Sequence, residues 1–136
     1  MANVGLTKAR SIGPIAEEVE RAGGSVARIF RHAELPLEML DQPERLLLLR
    51  DRLRLLECAA REIGDEAISA RLSVKAGVAG LGRYGLRILG APRLESAIVR
   101  SVELIGPLLQ SATSIGLVRK GRWAKWTYRV TDAAEI

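Results

Sequence analysis

Residues 113–130 read TSIGLVRKGRWAKWTYRV, and their apolar side chains alternate along the chain. A period of two is typical of β-strands, because successive side chains point to opposite faces of a strand. The pattern continues on both sides of Lys120-Gly121, which predicts a β-hairpin with a tight turn at that dipeptide. The apolar face of this hairpin, which we expect to pack on the core, consists of Ile115, Leu117, Ala124, Trp126, Tyr128 and Val130.

The position of the turn sets the predicted register of the two strands. With the turn at 120–121, Leu117 lies opposite Ala124 and Ile115 lies opposite Trp126. Trp123 then points outward. A hairpin on its own has open backbone edges, so we expect it to pair with another chain or with further strands of a sheet.

The residues that precede the hairpin follow a helical pattern. Pro14 suits the first turn of a helix, Gly23-Gly24 ends that helix, and Ser25 can cap a second short one. A longer apolar stripe consists of Leu49, Leu53, Leu56, Ala60 and Ile63. Another consists of Leu94, Ile98, Val102 and Ile105. We therefore predict an α+β fold, with a helical N-terminal two-thirds followed by an antiparallel β-hairpin or partial sheet.

The composition is that of one globular domain. Of 136 residues, 48% are hydrophobic and 27% are charged. The longest apolar run, residues 46–49, is far shorter than a membrane span. We expect a cytoplasmic protein with no membrane partner.

Side chains that carry catalysis or bind metals are scarce. Cys58 and His32 are the only cysteine and histidine, so the sequence excludes an internal disulfide and the common zinc modules. A Ser-His-Asp triad would depend on His32, and no nucleophile-elbow sequence accompanies it. We predict no enzyme activity, no catalytic residues, no metal site and no cofactor.

One glycine pattern needs interpretation. Gly80, Gly82 and Gly85 form a GxGxxG sequence, which in dinucleotide-binding proteins follows a buried strand and opens a long helix. Here no clear apolar strand precedes it, and Gly90-Ala91-Pro92 interrupts any following helix. We interpret these glycines as positions of close packing or of a turn around a short helix.

The net charge of +5 is concentrated in the hairpin. Its basic residues are Arg119, Lys120, Arg122, Lys125 and Arg129. The remainder of the chain has 16 basic and 16 acidic residues.

The helices predicted on either side of Gly23-Gly24 suggest a helix-turn-helix, but the first is acidic and the second offers no Asn or Gln to base edges. We assign no DNA-binding residues and expect no direct sequence-specific DNA binding; the alternative is a nucleic-acid-binding module that uses the basic, Trp-containing hairpin 119–129.

The order of these segments resembles the N-terminal sensing domain of AraC-type bacterial transcription regulators, in the arabinose-binding-like subgroup. A paired-helix start is followed by LLRDRLRLLECAAREIGDEAISARL and by the glycine-rich AGLGRYGLRILGAP. The helical segment RLESAIVRSVELIGPLL and the strand pair ending in WAKWTYRV complete the match. The resemblance covers roughly residues 11–131, and it rests on the order and spacing of the segments rather than on one motif.

The resemblance implies an effector-sensing and oligomerising regulatory domain, which acts in transcription regulation. It implies a tail at 1–10, the sensing domain at 11–131 and a tail at 132–136. In the family this sheet continues further and a helix-turn-helix DNA-binding part follows, so the chain is expected to be a C-terminally truncated copy that lacks the DNA-binding domain. The arabinose in the subgroup's label does not identify the ligand of this chain.

The candidate effector-binding residues are Tyr84, Trp126 and Tyr128, which combine flat apolar rings with polar tips. We expect the pocket between the inner face of the hairpin and residues 80–90. The alternative is that these aromatic rings only fill the core. The expected partners are a small-molecule effector of unknown identity and either a second copy, through the hairpin edge or helix 94–105, or a full-length regulator.

Overall fold

The structure is a computed structural model that describes residues 4–131. It has the predicted α+β architecture, with helices through most of the chain and a long hairpin at the C-terminal end. The chain divides into two compact units. We call residues 7–77 the helical unit and residues 78–131, together with 4–6, the C-terminal unit. The predicted tail at 132–136 lies outside the described residues, as do residues 1–3 of the tail predicted at 1–10.

The helical unit contains four α-helices, two 3-10 turns and a pair of short strands, the first of which starts one residue before the unit. In chain order the elements are β1 (Leu6–Lys8), α1 (Gly13–Arg21), α2 (Val26–His32), β2 (Leu46–Leu48), α3 (Leu49–Ile63) and α4 (Ile68–Ala76). Strand β1 pairs with β2. Both strands are elements that the helical pattern did not predict, and β1 lies within the segment expected to be a tail. Thr7 and Ala9 are buried, so ordered structure begins before residue 11.

The helix boundaries follow the predicted local signals. Pro14 occupies the first turn of α1, and Gly23 takes a positive φ of 80° just after its end. The Ser25 hydroxyl accepts a hydrogen bond of 3.2 Å from the backbone N–H of Arg28, as the N-cap of α2. Gly64 ends α3 in the left-handed conformation. The predicted start and end of α1 and the predicted start of α2 are confirmed.

The core of the helical unit lies among α1, α2 and α3. Its buried members are Ala9, Ile12, Ile15, Ala16, Val19, Ile29, Phe30, Ala33, Met39, Leu47, Leu55, Ala59 and Ile68. Helix α3 buries Leu49, which the predicted stripe included, and Leu55 and Ala59, which it omitted. Leu56, Ala60 and Ile63 of that stripe are only partly buried and pack beside it. The predicted helical period of α3 is right, but the centre of its buried face lies one residue before the predicted stripe, at Leu55 and Ala59 instead of Leu56 and Ala60.

The C-terminal unit consists of two helices and the hairpin. Its elements are α5 (Gly82–Leu89), α6 (Leu94–Leu104), a single π-helical turn (Ile105–Leu109), β3 (Thr113–Lys120) and β4 (Trp123–Val130). Helix α6 ends before Gly106-Pro107, and the chain continues as a wider helical turn because a proline cannot donate to the preceding turn. The small core is formed by Tyr84, Ile105 and Ile115.

The GxGxxG segment has the close-packing role that the sequence predicted. A helix precedes it rather than a strand, and the segment forms a 3-10 turn followed by α5. A Cβ placed on Gly85 would lie 1.8 Å from the carbonyl oxygen of Val78. Glycine at this position therefore lets α5 pack directly against the preceding backbone.

The register of the hairpin corrects the sequence prediction by two residues. Strands β3 and β4 are antiparallel, but Ile115 pairs with Tyr128 and Leu117 pairs with Trp126. The loop is 121–122, between the paired residues 120 and 123, and Gly121 has a φ of 55°, at the position that glycine takes in type II′ turns. A shift of two preserves the parity of each strand, so the predicted sets of side chains still share their faces.

None of the helices within residues 4–131 is long and apolar enough to cross a membrane. The longest of them, α3, has 15 residues.

Candidate functional site

The hairpin has two chemically different faces. The aromatic face carries Ile115, Leu117, Arg119, Ala124, Trp126 and Tyr128, and the basic face carries Val118, Lys120, Trp123, Lys125, Thr127 and Arg129. Only the aromatic face contributes to the small core, through Ile115. This difference follows from the register, because each cross-strand pair projects both of its side chains to the same side.

Tyr84 is the buried wall beside the aromatic face. It is 4% exposed, and its hydroxyl donates a hydrogen bond of 2.9 Å to the backbone carbonyl of Ser101 on α6. Burial raises the pKa of this phenol above its ordinary value, the hydrogen bond with Ser101 acts in the opposite direction, and the neighbouring Tyr128 adds a smaller increase. Tyr84 therefore stays protonated, with its polar tip already engaged inside the unit.

Trp126 and Tyr128 form an open aromatic surface. They are 54% and 50% exposed, so the prediction that both rings lie in the core is wrong. Their ring centroids are 6.5 Å apart with the planes tilted by 31°, a common geometry for interacting aromatic rings. Alternation had shown which side chains share a face, but no other described element covers β4, whose residues are nearly all exposed.

Gln110 fixes the position of the Tyr128 hydroxyl. Its side-chain amide donates hydrogen bonds to the hydroxyl oxygens of Tyr128 (2.6 Å) and Thr113 (2.8 Å). Among the described residues, the hydroxyl proton of Tyr128 has no acceptor, so it can donate to a bound molecule. Sequence reasoning missed Gln110, because a single amide after a helical pattern carries no periodic or motif signal.

The structure thus brings two of the three predicted site residues together at the surface and places the third behind them. Trp126 and Tyr128 present a flat apolar surface with one positioned hydroxyl. Tyr84 supports that surface from the core instead of lining it with a free polar tip.

The helical unit has a concave region of its own. It is an open groove of about 590 Å³, lined by His32, Arg54, Glu57, Cys58, Arg61 and Glu62. Glu62 accepts a hydrogen bond of 2.9 Å from the backbone N–H of Ser25. This hydrogen bond and the charge of Arg28 hold the pKa of the Glu62 carboxyl below the usual range. That carboxylate is therefore used to hold the start of α2 against α3.

The described side chains around this groove do not form a metal centre. Within residues 4–131, no three His, Cys, Asp or Glu side chains come together as potential metal ligands. Glu57 also pairs with Arg61 at 3.8 Å, so much of the groove's charge is internally matched. The aromatic face of the hairpin remains the better candidate for a ligand.

Comparison with known proteins finds a match to one family model. No curated protein matches it. The model of one family, described as the arabinose-binding domain of AraC transcription regulators, N-terminal, matches residues 23–136. That range contains α2 to α6 and the whole hairpin, with both Trp126 and Tyr128. The chain therefore belongs to the family of N-terminal arabinose-binding domains of AraC transcription regulators.

Proposed function

We propose that this chain senses a small-molecule effector through the aromatic face of its hairpin. The observation that carries the proposal is the half-exposed pair Trp126 and Tyr128, with the Tyr128 hydroxyl held in place by Gln110. Apolar rings with one oriented polar group are typical of small-molecule sites. Membership of a regulatory ligand-binding family supports the same function.

The chemistry of the surface defines the kind of effector. The molecule needs a flat apolar face to cover Trp126 and an acceptor oxygen or nitrogen to receive the Tyr128 hydroxyl proton. The site contributes no reactive group: Tyr84 is engaged with Ser101, and Gln110 is engaged with Thr113 and Tyr128. The domain acts by binding and not by catalysis.

In this proposal the signal passes through contacts inside the C-terminal unit. Tyr128 pairs with Ile115 across the hairpin, and Ile115 packs with Tyr84 and Ile105. Tyr84 is also hydrogen-bonded to α6 through Ser101. An effector that orders Tyr128 therefore stabilises the arrangement of the hairpin on α5 and α6, and it shifts the population toward that arrangement.

The same unit provides surface for a second copy. Leu86 and Leu89 on α5 and Leu94 and Val99 on α6 are all exposed, with Leu94 78% exposed. Several large apolar side chains exposed on two consecutive helices are characteristic of an interaction surface. We propose that these helices pair with a second copy or with a full-length regulator, so that effector binding is passed to the oligomer.

The effector proposal is tested with a single-tryptophan variant. In Trp123→Phe, the remaining tryptophan is Trp126, so its fluorescence reports on the aromatic face alone. We expect a screen of bacterial metabolites by thermal shift to yield a ligand that stabilises the protein and changes Trp126 fluorescence. At 100 times its Kd, such a ligand adds about 2.7 kcal/mol of stability.

The control for this experiment removes only one atom. Tyr128→Phe keeps the ring and loses the hydroxyl, so the ligand response should weaken by about fivefold or more. A ligand that stabilises the protein equally well in Tyr128→Phe and Trp126→Ala would contradict the assignment of this face.

The oligomer proposal is tested by sedimentation of Leu86→Ser and Leu94→Ser beside Val74→Ser, a matched exposed position in the helical unit. Dimers in wild type and Val74→Ser but monomers in the other two are expected.

A further inference from the structure

The basic face of the hairpin is a separate surface that the effector proposal does not use. Trp123 is 82% exposed on it, the most exposed large aromatic side chain described. It pairs with Lys120 across the hairpin, and Lys125 follows two residues later on the same side. Arg129 continues this line of cations along β4. An exposed indole is therefore flanked by positive charges on one flat surface.

The charges on this face are not neutralised within the described part of the chain. Arg119 projects to the opposite, aromatic face and pairs there with Glu95 at 3.2 Å. No ion pair to Lys120, Lys125 or Arg129 occurs among residues 4–131. The rest of the C-terminal unit adds to this positive charge, because residues 78–131 contain 9 basic and 2 acidic side chains. The face thus attracts a polyanion.

The exposed indole distinguishes this surface from an ordinary solvated row of cations. At 82% exposure, Trp123 contributes almost nothing to the folding of its own unit. Its ring faces are available for stacking, and the cations beside it can hold charged groups on either side. Flat rings with interspersed cations are the combination by which proteins bind unpaired bases and their phosphates.

We propose that the basic face binds single-stranded nucleic acid without sequence preference. Trp123 stacks on a base, while Lys120, Lys125 and Arg129 neutralise the phosphates of the strand. Residues 113–131 contain no Asn or Gln, the side chains that read adenine edges, so the surface has little means of selecting a sequence. Duplex DNA binds less well, because its base faces are stacked on one another and closed to Trp123.

The test again uses a single-tryptophan variant. In Trp126→Phe, Trp123 is the only tryptophan, and titration with a 15-nucleotide oligo(dT) should quench its fluorescence. Three phosphate contacts predict that log K falls with log salt concentration with a slope of about −2. Lys125→Ala should make this slope shallower by about 0.7. Trp123→Ala, measured by fluorescence anisotropy of labelled oligo(dT), should weaken binding about tenfold.

Controls separate this mode of binding from simple charge attraction. Lys75→Ala removes an exposed cation of the helical unit and should leave oligo(dT) affinity unchanged. Polyphosphate of equal charge and the duplex of the same length should bind more weakly and leave Trp123 unquenched. The proposal is overturned if oligo(dT) fails to quench Trp123 at low salt, if polyphosphate binds as tightly as oligo(dT), or if Lys75→Ala and Lys125→Ala weaken binding equally. Circular dichroism confirms that each variant is folded.

Discussion

The helical unit and the C-terminal unit differ in how much of their apolar surface and charge they satisfy internally. The helical unit buries a cluster of 13 hydrophobic residues, and the C-terminal unit buries a cluster of three. Residues 7–77 carry 12 basic and 12 acidic side chains, whereas residues 78–131 carry 9 and 2. Among the described residues, nine of ten ion pairs lie in the helical unit.

This difference indicates a division of roles. A region that covers its own core and pairs its own charges is stable but offers little to a ligand. A region with exposed rings and unmatched cations is less stable by itself and can gain free energy when something covers it. Both proposed binding surfaces, the aromatic face and the basic face, lie in the C-terminal unit for this reason.

The largest expected effect compares one substitution in the two cores. Ile29→Ala should lower the free energy of unfolding by about 4 kcal/mol, because Ile29 is enclosed by the large cluster and its cavity cannot collapse. Ile105→Ala should lower it by about 2 kcal/mol, because the three-residue cluster lies close to solvent and can relax. Urea unfolding followed by circular dichroism measures both. Equal losses would show that the C-terminal unit is packed as tightly as the helical unit.

The sequence predicted the helical unit better than the surfaces of the C-terminal unit. Pro14, Gly23 and Ser25 act on the backbone beside them, so helix boundaries can be recognised locally. The exposure of Trp126 depends on whether a distant element covers the hairpin, and alternation carries no information about that. The strand at Leu46–Leu48 was missed for a similar reason: a three-residue apolar run has no measurable period.

The candidate site was predictable in part. The parity of the hairpin placed Trp126 and Tyr128 on one face, and that face survived an error of two residues in the register. The hydrogen bond from Gln110 to Tyr128 could not be predicted, because it joins residues whose proximity depends on the π-helical turn. The predicted exposure of Trp123 is confirmed, but the aromatic face of β4 is exposed as well, so parity alone does not account for it.

An intermediate effect compares the tightest glycine of each unit. In Gly85→Ala the new Cβ would lie 1.8 Å from the backbone oxygen of Val78, so the backbone itself must move. In Gly24→Ala the nearest atoms are side-chain carbons of Glu62 and Val19, both at 2.9 Å, so side chains rather than the backbone must shift. We expect losses of about 3 kcal/mol for Gly85→Ala and about 1 kcal/mol for Gly24→Ala.

Hydrogen exchange locates the damage along the chain in the same experiment. Gly85→Ala should speed amide exchange in α5, α6 and the hairpin, and leave the helical unit protected. If Gly24→Ala proves the more damaging of the two, the α1–α2 turn is the less adaptable contact, and the contrast between the units would have to be reversed at this point.

The smallest expected effect concerns the pH dependence of the helical unit. Glu18 of α1 is buried and bonded to Arg21, with Arg71 of α4 at 3.6 Å. The hydrogen bond from Arg21 lowers the pKa of the Glu18 carboxyl below its ordinary value of 4.5, and the charges of Arg21, Lys75 and Arg71 act in the same direction, while burial opposes them. A carboxyl whose pKa is lower in the folded state contributes stability above its unfolded pKa, and this contribution is lost as the pH falls through the folded value.

Acid unfolding of Glu18→Gln tests this contribution. Wild-type protein should lose stability on acidification below about pH 4.5, and part of that loss should be missing in Glu18→Gln, which starts from a lower stability at pH 7. Glu57→Gln, which breaks the exposed pair with Arg61, is the matched control and should follow the wild-type curve closely. Urea midpoints between pH 3 and pH 7 give the comparison. The pKa of Glu62 is also lowered, so Glu18→Gln should still lose some stability on acidification. The double variant Glu18→Gln with Glu62→Gln should lose less than Glu18→Gln alone. Identical pH profiles for wild type and Glu18→Gln would mean that the ion pairs of the helical unit stabilise it no more than ordinary surface charges do.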